Sequence, residues 1–214
     1  MTGIVLKREH LLWNTQAECC EFRPASMVGC MKDDVSVWIG TATDARDHFD
    51  SICTLYEAAF SAPPFVWPES EAQRHREMLD RMIGSPTFGI ALAESAGTLI
   101  GFAYGDALST ETRWWEGFQA PVAAEVTRES LGRTFAVIDL AVEASVRRRG
   151  IGRRLLDTLL DSRTEERATL AVQPQAEGSH AFYDALGGWQ LIGRQDTPAY
   201  VSPQFDIYLR VLKP

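Results

Sequence analysis

The sequence predicts one mixed α/β domain over residues 35–214, and three observations carry that prediction. Short apolar or alternating runs interleave with runs of helical periodicity, in the order strand, helix, helix, strand, strand, strand, helix, strand, helix, strand, strand. Apolar residues make up 45% and charged residues 23% of 214 residues, which suits a globular chain able to bury a core. No internal repeat or low-complexity tract divides the chain.

Val35, Val37 and Ile39 alternate and predict a strand over 35–41. Thr43 or Asp44 then caps a helix whose apolar stripe is Phe49, Ile52, Cys53, Tyr56 and Phe60. Three prolines between Ser61 and Pro68 break it. A second helix follows over 69–83, with Ala72, Met78, Leu79, Met82 and Ile83 on one side, and Gly84-Ser85-Pro86 ends it. Strands at 87–94 and 98–104 flank the short connection Ser95-Ala96-Gly97. Residues 106–133 form a long polar and aromatic segment, the kind of loop that is functional or conceals helix, and 122–131 offers a helical turn or two. Thr134–Val142 is largely apolar and reads as a central strand. Ile151, Leu155, Leu156, Leu159 and Leu160 share one face of the next helix. A buried strand at 168–172, a short helix at 178–186 and strands at 189–194 and 204–212 complete the order. Residues 1–34 carry no clear pattern and are expected to be an N-terminal extension of uncertain order, with Met27 and Met31 as alternative starts.

The cysteines, Cys19, Cys20, Cys30 and Cys53, lack a zinc spacing, so no metal is expected and they read as reduced thiols. The absence of an 18-residue apolar run and of a basic-then-apolar leader predicts a cytoplasmic protein without a membrane partner. The formal charge is −8, yet Arg147, Arg148, Arg149, Arg153 and Arg154 put +5 into eight residues and leave −13 for the rest. A local anion site fits that distribution; a nucleic-acid surface needs a wider basic patch.

That basic segment also contains Gly150 and Gly152 and joins the apolar strand to the amphipathic helix. A glycine-bearing turn that opens a helix aims several backbone N–H groups one way, and the helix dipole adds positive potential. A phosphate-bearing ligand is the first expectation. The P-loop pattern is absent, and the dinucleotide fingerprint fails because Leu155 stands where its third glycine belongs.

The stretch from Ile138 to Gly152, with Leu140, Val142, Arg147, Gly150 and Gly152 at the key places, resembles the acyl-CoA signature Gln/Arg-x-x-Gly-x-Gly/Ala of the GNAT superfamily, the Gcn5-related N-acetyltransferases. Ala144 departs from the proline usual there. The resemblance implies the GNAT, acyl-CoA N-acyltransferase, fold: a mixed, mostly antiparallel sheet flanked by helices and splayed between its fourth and fifth strands. It implies acetyl-CoA as co-substrate. Backbone groups of Leu140, Ala141 and Val142, at a bulge, would meet the pantetheine arm, and the turn of Arg147, Arg148, Arg149, Gly150, Ile151, Gly152 and Arg153 would hold the pyrophosphate.

The stretch Ser179–Gly187 is similar to the family's Phe-Tyr-x-x-x-Gly segment, and Tyr183 matches the tyrosine that protonates the departing thiolate. The asparagine common seven residues earlier is Ala176 here, and the usual Gly-Phe is Gly187-Gly188-Trp189. Asp139 is the candidate general base, because a carboxylate within so apolar a run costs free energy unless it has a partner or a role. An acid that pairs with a neighbouring strand or binds substrate is its alternative; Glu143 and Glu116 are weaker candidates. The resemblance places the acceptor site beside this segment and the connection at 63–67, so Trp114, Trp115 and Phe118 are candidates for an acceptor pocket, with plain packing under the loop as their alternative. The expected reaction is acetyl transfer to an amine by direct attack in a ternary complex, with a small cationic amine as acceptor. A peptide or protein amine, a non-catalytic acyl-CoA sensor and a polyanion-binding protein are the alternatives. The family leaves room for a homodimer.

Overall fold

A computed structural model describes residues 35–198 and 200–212; the extension expected over 1–34 lies outside them. The strands are β1 (Val35–Gly40), β2 (Gly89–Ser95), β3 (Thr98–Ala107), β4 (Thr134–Val142), β5 (Arg167–Val172), β6 (Gln190–Asp196) and β7 (Gln204–Val211). The helices are α1 (Ala42–Asp47), α2 (Phe49–Phe60), α3 (Glu71–Ile83), α4 (Ala124–Thr127), α5 (Ile151–Asp161) and α6 (Glu177–Leu186). Among the described residues, one seven-stranded sheet runs β1-β2-β3-β4-β5-β7-β6, and only the β4–β5 pair is parallel. That is the mixed, mostly antiparallel sheet expected.

The first predicted helix divides at His48 into α1 and α2, and its cap is Thr41 rather than Thr43 or Asp44. Asp44 N–H donates to Thr41 Oγ1 at 3.2 Å while Thr41 N–H donates to the Asp44 carboxylate at 2.8 Å. This reciprocal pair satisfies two backbone donors and moves the start upstream.

The sheet buries both faces. On one, Leu155, Leu156 and Leu159 of α5 pack over Ala91, Ala103, Phe135 and Val137. On the other, Ile52 and Tyr56 of α2 and Leu79 of α3 cover Leu92, Phe102, Tyr104 and Ala141.

Two irregularities position the site. The β4–β5 ladder lasts only from Thr134↔Arg167 to Ala136↔Thr169, beyond which the strands splay. The β3–β4 register steps from Tyr104↔Asp139 to Gly105↔Val137, so Ile138 is the extra residue of a bulge. Phe135 and Val137 face α5, as do Leu140 and Val142, whereas Ile138 and Ala141 pack towards α2 and α3. The bulge therefore turns Asp139 to the α2–α3 face, where strict alternation from Val137 would have put it under α5. Gly105 permits this: a Cβ there would lie 2.0 Å from the Ala136 carbonyl oxygen.

The 106–133 segment is sewn to the sheet. Glu129 Oε1 accepts from Trp115 Nε1, Thr134 Oγ1 and Arg167 Nη2, each at 2.8 Å. Trp114 Nε1 donates to Thr169 Oγ1 at 3.1 Å, and Gln195 Nε2 donates to the Trp114 carbonyl at 2.8 Å. The hidden helix is the single turn α4.

Candidate active site

An open groove of about 1660 Å³ crosses the C-terminal half of β4. Its floor is Ile138–Val142; one end reaches the α5 N-terminus and α6, the other the α2–α3 connection at Phe65 and Trp67.

At the first end, Gly150 caps α5 in the left-handed region at φ 78°, and Arg148 shares that conformation at φ 66°. Arg154 N–H donates to the Gly150 carbonyl at 3.1 Å as the first bond of the helix. The N–H groups of Ile151, Gly152 and Arg153 therefore precede the ladder and face out of the helix end. Arg147 Nε donates to the Val142 carbonyl at 2.8 Å and braces the turn against the strand. Arg153 Nη2 reaches the Ala185 carbonyl at 3.4 Å. Arg147, Arg148, Gly150, Ile151, Gly152 and Arg153 all line the groove; Arg149, exposed on the same turn, does not.

At the floor, Glu143 N–H donates to the Ile100 carbonyl at 2.9 Å, which fixes the phase of the antiparallel ladder. Ala141 then pairs with β3, and the N–H and C=O groups of Leu140 and Val142 turn towards the gap left by β5. The Arg147–Val142 contact agrees with that direction.

The Asp139 side chain is 14% exposed at the bottom of the groove. Tyr104 Oη donates to Asp139 Oδ2, His75 Nε2 lies 3.0 Å from Tyr104 Oη, and Tyr56 stacks on the His75 ring at 3.6 Å. Tyr56 Oη in turn donates to Glu71 Oε1 at 3.0 Å. Burial pushes Asp139 up to about 7; the Tyr104 hydrogen bond opposes this, and the Glu71 charge adds to it. Burial pushes His75 down to about 4, so its ring is neutral at physiological pH. Sequence reasoning missed Tyr56, Glu71, His75 and Tyr104. The helix stripe holds Tyr56, but only tertiary packing separates it from an ordinary core tyrosine.

Tyr183 is buried on α6 across the groove, edge-on to Phe182 at 5.1 Å and to Trp189 at 5.7 Å. Burial, then the Asp139 charge, pushes its phenol well up, so it stays protonated. Of the three aromatic candidates, Trp114 lines the groove. Trp115 is buried beneath Arg167, whose guanidinium lies 5.3 Å from its ring, and Phe118 bridges to Gln195 and packs on Gly193; neither reaches the groove. Glu116 is at the rim, and Glu143 is held by Ser145 Oγ at 2.6 Å outside the groove lining. No cluster of His, Cys, Asp and Glu able to hold a metal occurs among the described residues, and none of their helices is long and apolar enough to cross a membrane.

No curated protein is significantly similar in sequence. Solved structures share the fold. An aminoglycoside 6'-acetyltransferase type Ii superposes with TM-score 0.58 at 17% identity over 84% of this chain and 98% of its own. A GNAT-family protein from Desulfovibrio desulfuricans gives 0.57 at 16% identity over 83% and 99%. The PaiA N-acetyltransferase from Thermoplasma acidophilum, solved with coenzyme A, gives 0.52 at 15% identity over 82% and 99%. Residues 50–188, from the start of α2 past the end of α6, match the acetyltransferase (GNAT) family, and the chain belongs to it.

Proposed function

We propose that the protein is an N-acetyltransferase that moves the acetyl group of acetyl-CoA to a small cationic amine by direct attack in a ternary complex. The observation that carries this is Asp139: a carboxyl group near neutrality, at the floor of a groove joining a helix-N-terminal anion site to an aromatic chamber. The residues fit the donor. The splayed strands turn the Leu140 N–H and C=O and the Val142 N–H to the gap, where an extended amide-bearing arm would pair with them, and the α5 turn offers amides and arginines for a pyrophosphate. Acetyl-CoA supplies the activated acyl group.

The Val142 N–H faces the gap and would stabilise negative charge developing on the thioester oxygen. An amine is mostly protonated at neutral pH and must shed a proton to attack; Asp139 would take it. Tyr183 would then protonate the leaving thiolate. Burial makes Tyr183 a weaker acid, but it equally raises the basicity of a thiolate held there. The two transfers are also coupled. The Asp139 charge raises the Tyr183 pKa, so proton uptake by Asp139 removes that charge and strengthens Tyr183 as an acid when the thiolate forms.

The acceptor end favours a cation. Its wall holds the rings of Tyr56, Phe60, Phe65 and Trp67, with the Glu71 and Asp139 carboxyls behind them. The rim is of mixed charge, with Arg74, Arg81 and Arg113 beside Glu77 and Glu116, so selection rests on the floor. A thiol-release assay with acetyl-CoA against a panel of mono- and diamines, aminoglycosides and short peptides tests the reading. Turnover is expected with small cationic amines. Acetyl-CoA binding without turnover of any amine would make the protein a binding module instead.

A further inference from the structure

The cluster behind Asp139 holds more hydrogen-bonding chemistry than packing needs. Tyr104 is fully buried on β3 and His75 is 1% exposed on α3. Tyr104 has one hydroxyl proton and touches two acceptor-capable atoms, Asp139 Oδ2 and His75 Nε2. An ionised carboxylate only accepts, so the Tyr104 proton goes to Asp139. The Tyr104 oxygen then presents a lone pair to His75, and Nε2 must carry the hydrogen. That tautomer leaves Nδ1 as a bare lone pair, in agreement with its burial without a partner. The stack on Tyr56, 7° from parallel, fixes the His75 ring plane, and the bond to Glu71 fixes Tyr56.

We propose that Tyr104 and His75 are positioning residues for Asp139: His75 donates into Tyr104, which commits the Tyr104 proton to the carboxylate and holds it as the base. This rests on the reading of Asp139 as base. Asp139 faces Tyr104 from β3, His75 and Glu71 from α3, Tyr56 from α2 and Tyr183 from α6. Of these, Glu71 and burial disfavour the charged form, and Tyr104 supports it. A donor that itself accepts a hydrogen bond is a stronger donor, so His75 acts on Asp139 through the hydrogen bond to Tyr104, its own Nε2 lying 3.7 Å from Oδ2, beyond hydrogen-bond reach. His75 stays neutral above its value of about 4 and is no base itself in the working range.

The test is a carboxyl titration by NMR of protein labelled with ¹³C at aspartate Cγ, with Asp139→Asn assigning the resonance. The wild-type midpoint is expected at about 7. Tyr104→Phe should raise it by roughly one to two units, the size of a lost hydrogen bond to a charged group. His75→Phe keeps a ring against Tyr56 and removes the Nε2 group that bonds Tyr104 at 3.0 Å and lies 3.7 Å from Asp139 Oδ2. It should raise the midpoint by less, and it carries the test if Tyr104→Phe does not fold. A midpoint unmoved in Tyr104→Phe overturns the proposal, and one unmoved in His75→Phe alone removes His75 from it. With an acceptor found in the amine panel, the acidic limb of the kcat profile should move with the carboxyl midpoint. Turnover retained in Asp139→Asn would sink the base and the purpose of the relay together. Turnover lost in Asp139→Asn with a static midpoint in Tyr104→Phe would sink the relay alone.

Discussion

Asp139 sits where burial and function pull in opposite directions. Its pKa is raised from the ordinary 3.8 to about 7, so the folded state binds a proton that the unfolded chain releases between those values. Stability is therefore greatest below the unfolded value and is lost as pH rises through 7, a cost on the order of 4 kcal/mol once the group is fully ionised. Asp139→Asn keeps the shape without the charge. It should melt above wild type at pH 8.5 and close to it near pH 4, by scanning calorimetry, while losing about 10²–10⁴-fold in kcat. An equal melting point at both pH values would show that the carboxyl is not strained by burial. Tyr183→Phe tests the second proton transfer proposed above. It is expected to lower kcat while leaving the dissociation constant for acetyl-CoA, by calorimetry, within about twofold of wild type. Unchanged kcat would remove Tyr183 from the chemistry.

The strand–turn–helix unit of β4 and α5 is where backbone conformation and ligand binding meet. Gly150 needs φ 78°, and a Cβ there meets nothing within 4 Å, so the constraint on this residue is conformational. Gly150→Val should cost about 1–3 kcal/mol locally and weaken coenzyme binding far more than it lowers the melting temperature. A loss of melting temperature with coenzyme affinity intact would place the turn outside the donor site. The 106–133 segment depends on a different device. Glu129 gathers an indole, a hydroxyl and the buried Arg167 guanidinium around one oxygen. Glu129→Ala strands Arg167 without its counter-charge and should cost about 3–5 kcal/mol in denaturant unfolding. A cost under about 1 kcal/mol would mean that water replaces the carboxylate at Arg167.

At the scale of the molecule, the splayed sheet makes the proposed donor site a property of the fold. The groove draws on β4, α5 and α6 at one end and on α2 and α3 at the other. A ligand that spans such elements stabilises them together. Acetyl-CoA a hundredfold above its Kd should raise the melting temperature by about 5–10 °C, and the gain should shrink with salt as the arginine contacts are screened. No shift in thermal melts would count against the donor site.

The element order, apart from the break at His48, the family and the turn at Arg147–Gly152 were legible in the chain alone, because these rest on local signals: period and glycine spacing within a few residues. It singled out Asp139 because a charge in an apolar strand is visible without a structure. Tertiary structure decided which face Asp139 takes. One extra residue at Ile138 flips the alternation, and the room for it is made by Gly105 on a strand more than thirty residues earlier. It also decided which aromatics matter. Trp114, Trp115 and Phe118 look alike in sequence, yet the Glu129–Arg167 pin and the contact with β6 hold Trp115 and Phe118 away from the groove. Tyr104 and His75 could not be singled out from the sequence, because a buried tyrosine and a helical histidine become partners of the proposed base only when packing sets the Tyr104 hydroxyl on its carboxylate and His75 Nε2 3.7 Å from it. Hydrogen bonds and charge–dipole attraction act only at such short range, and only the folded chain sets it.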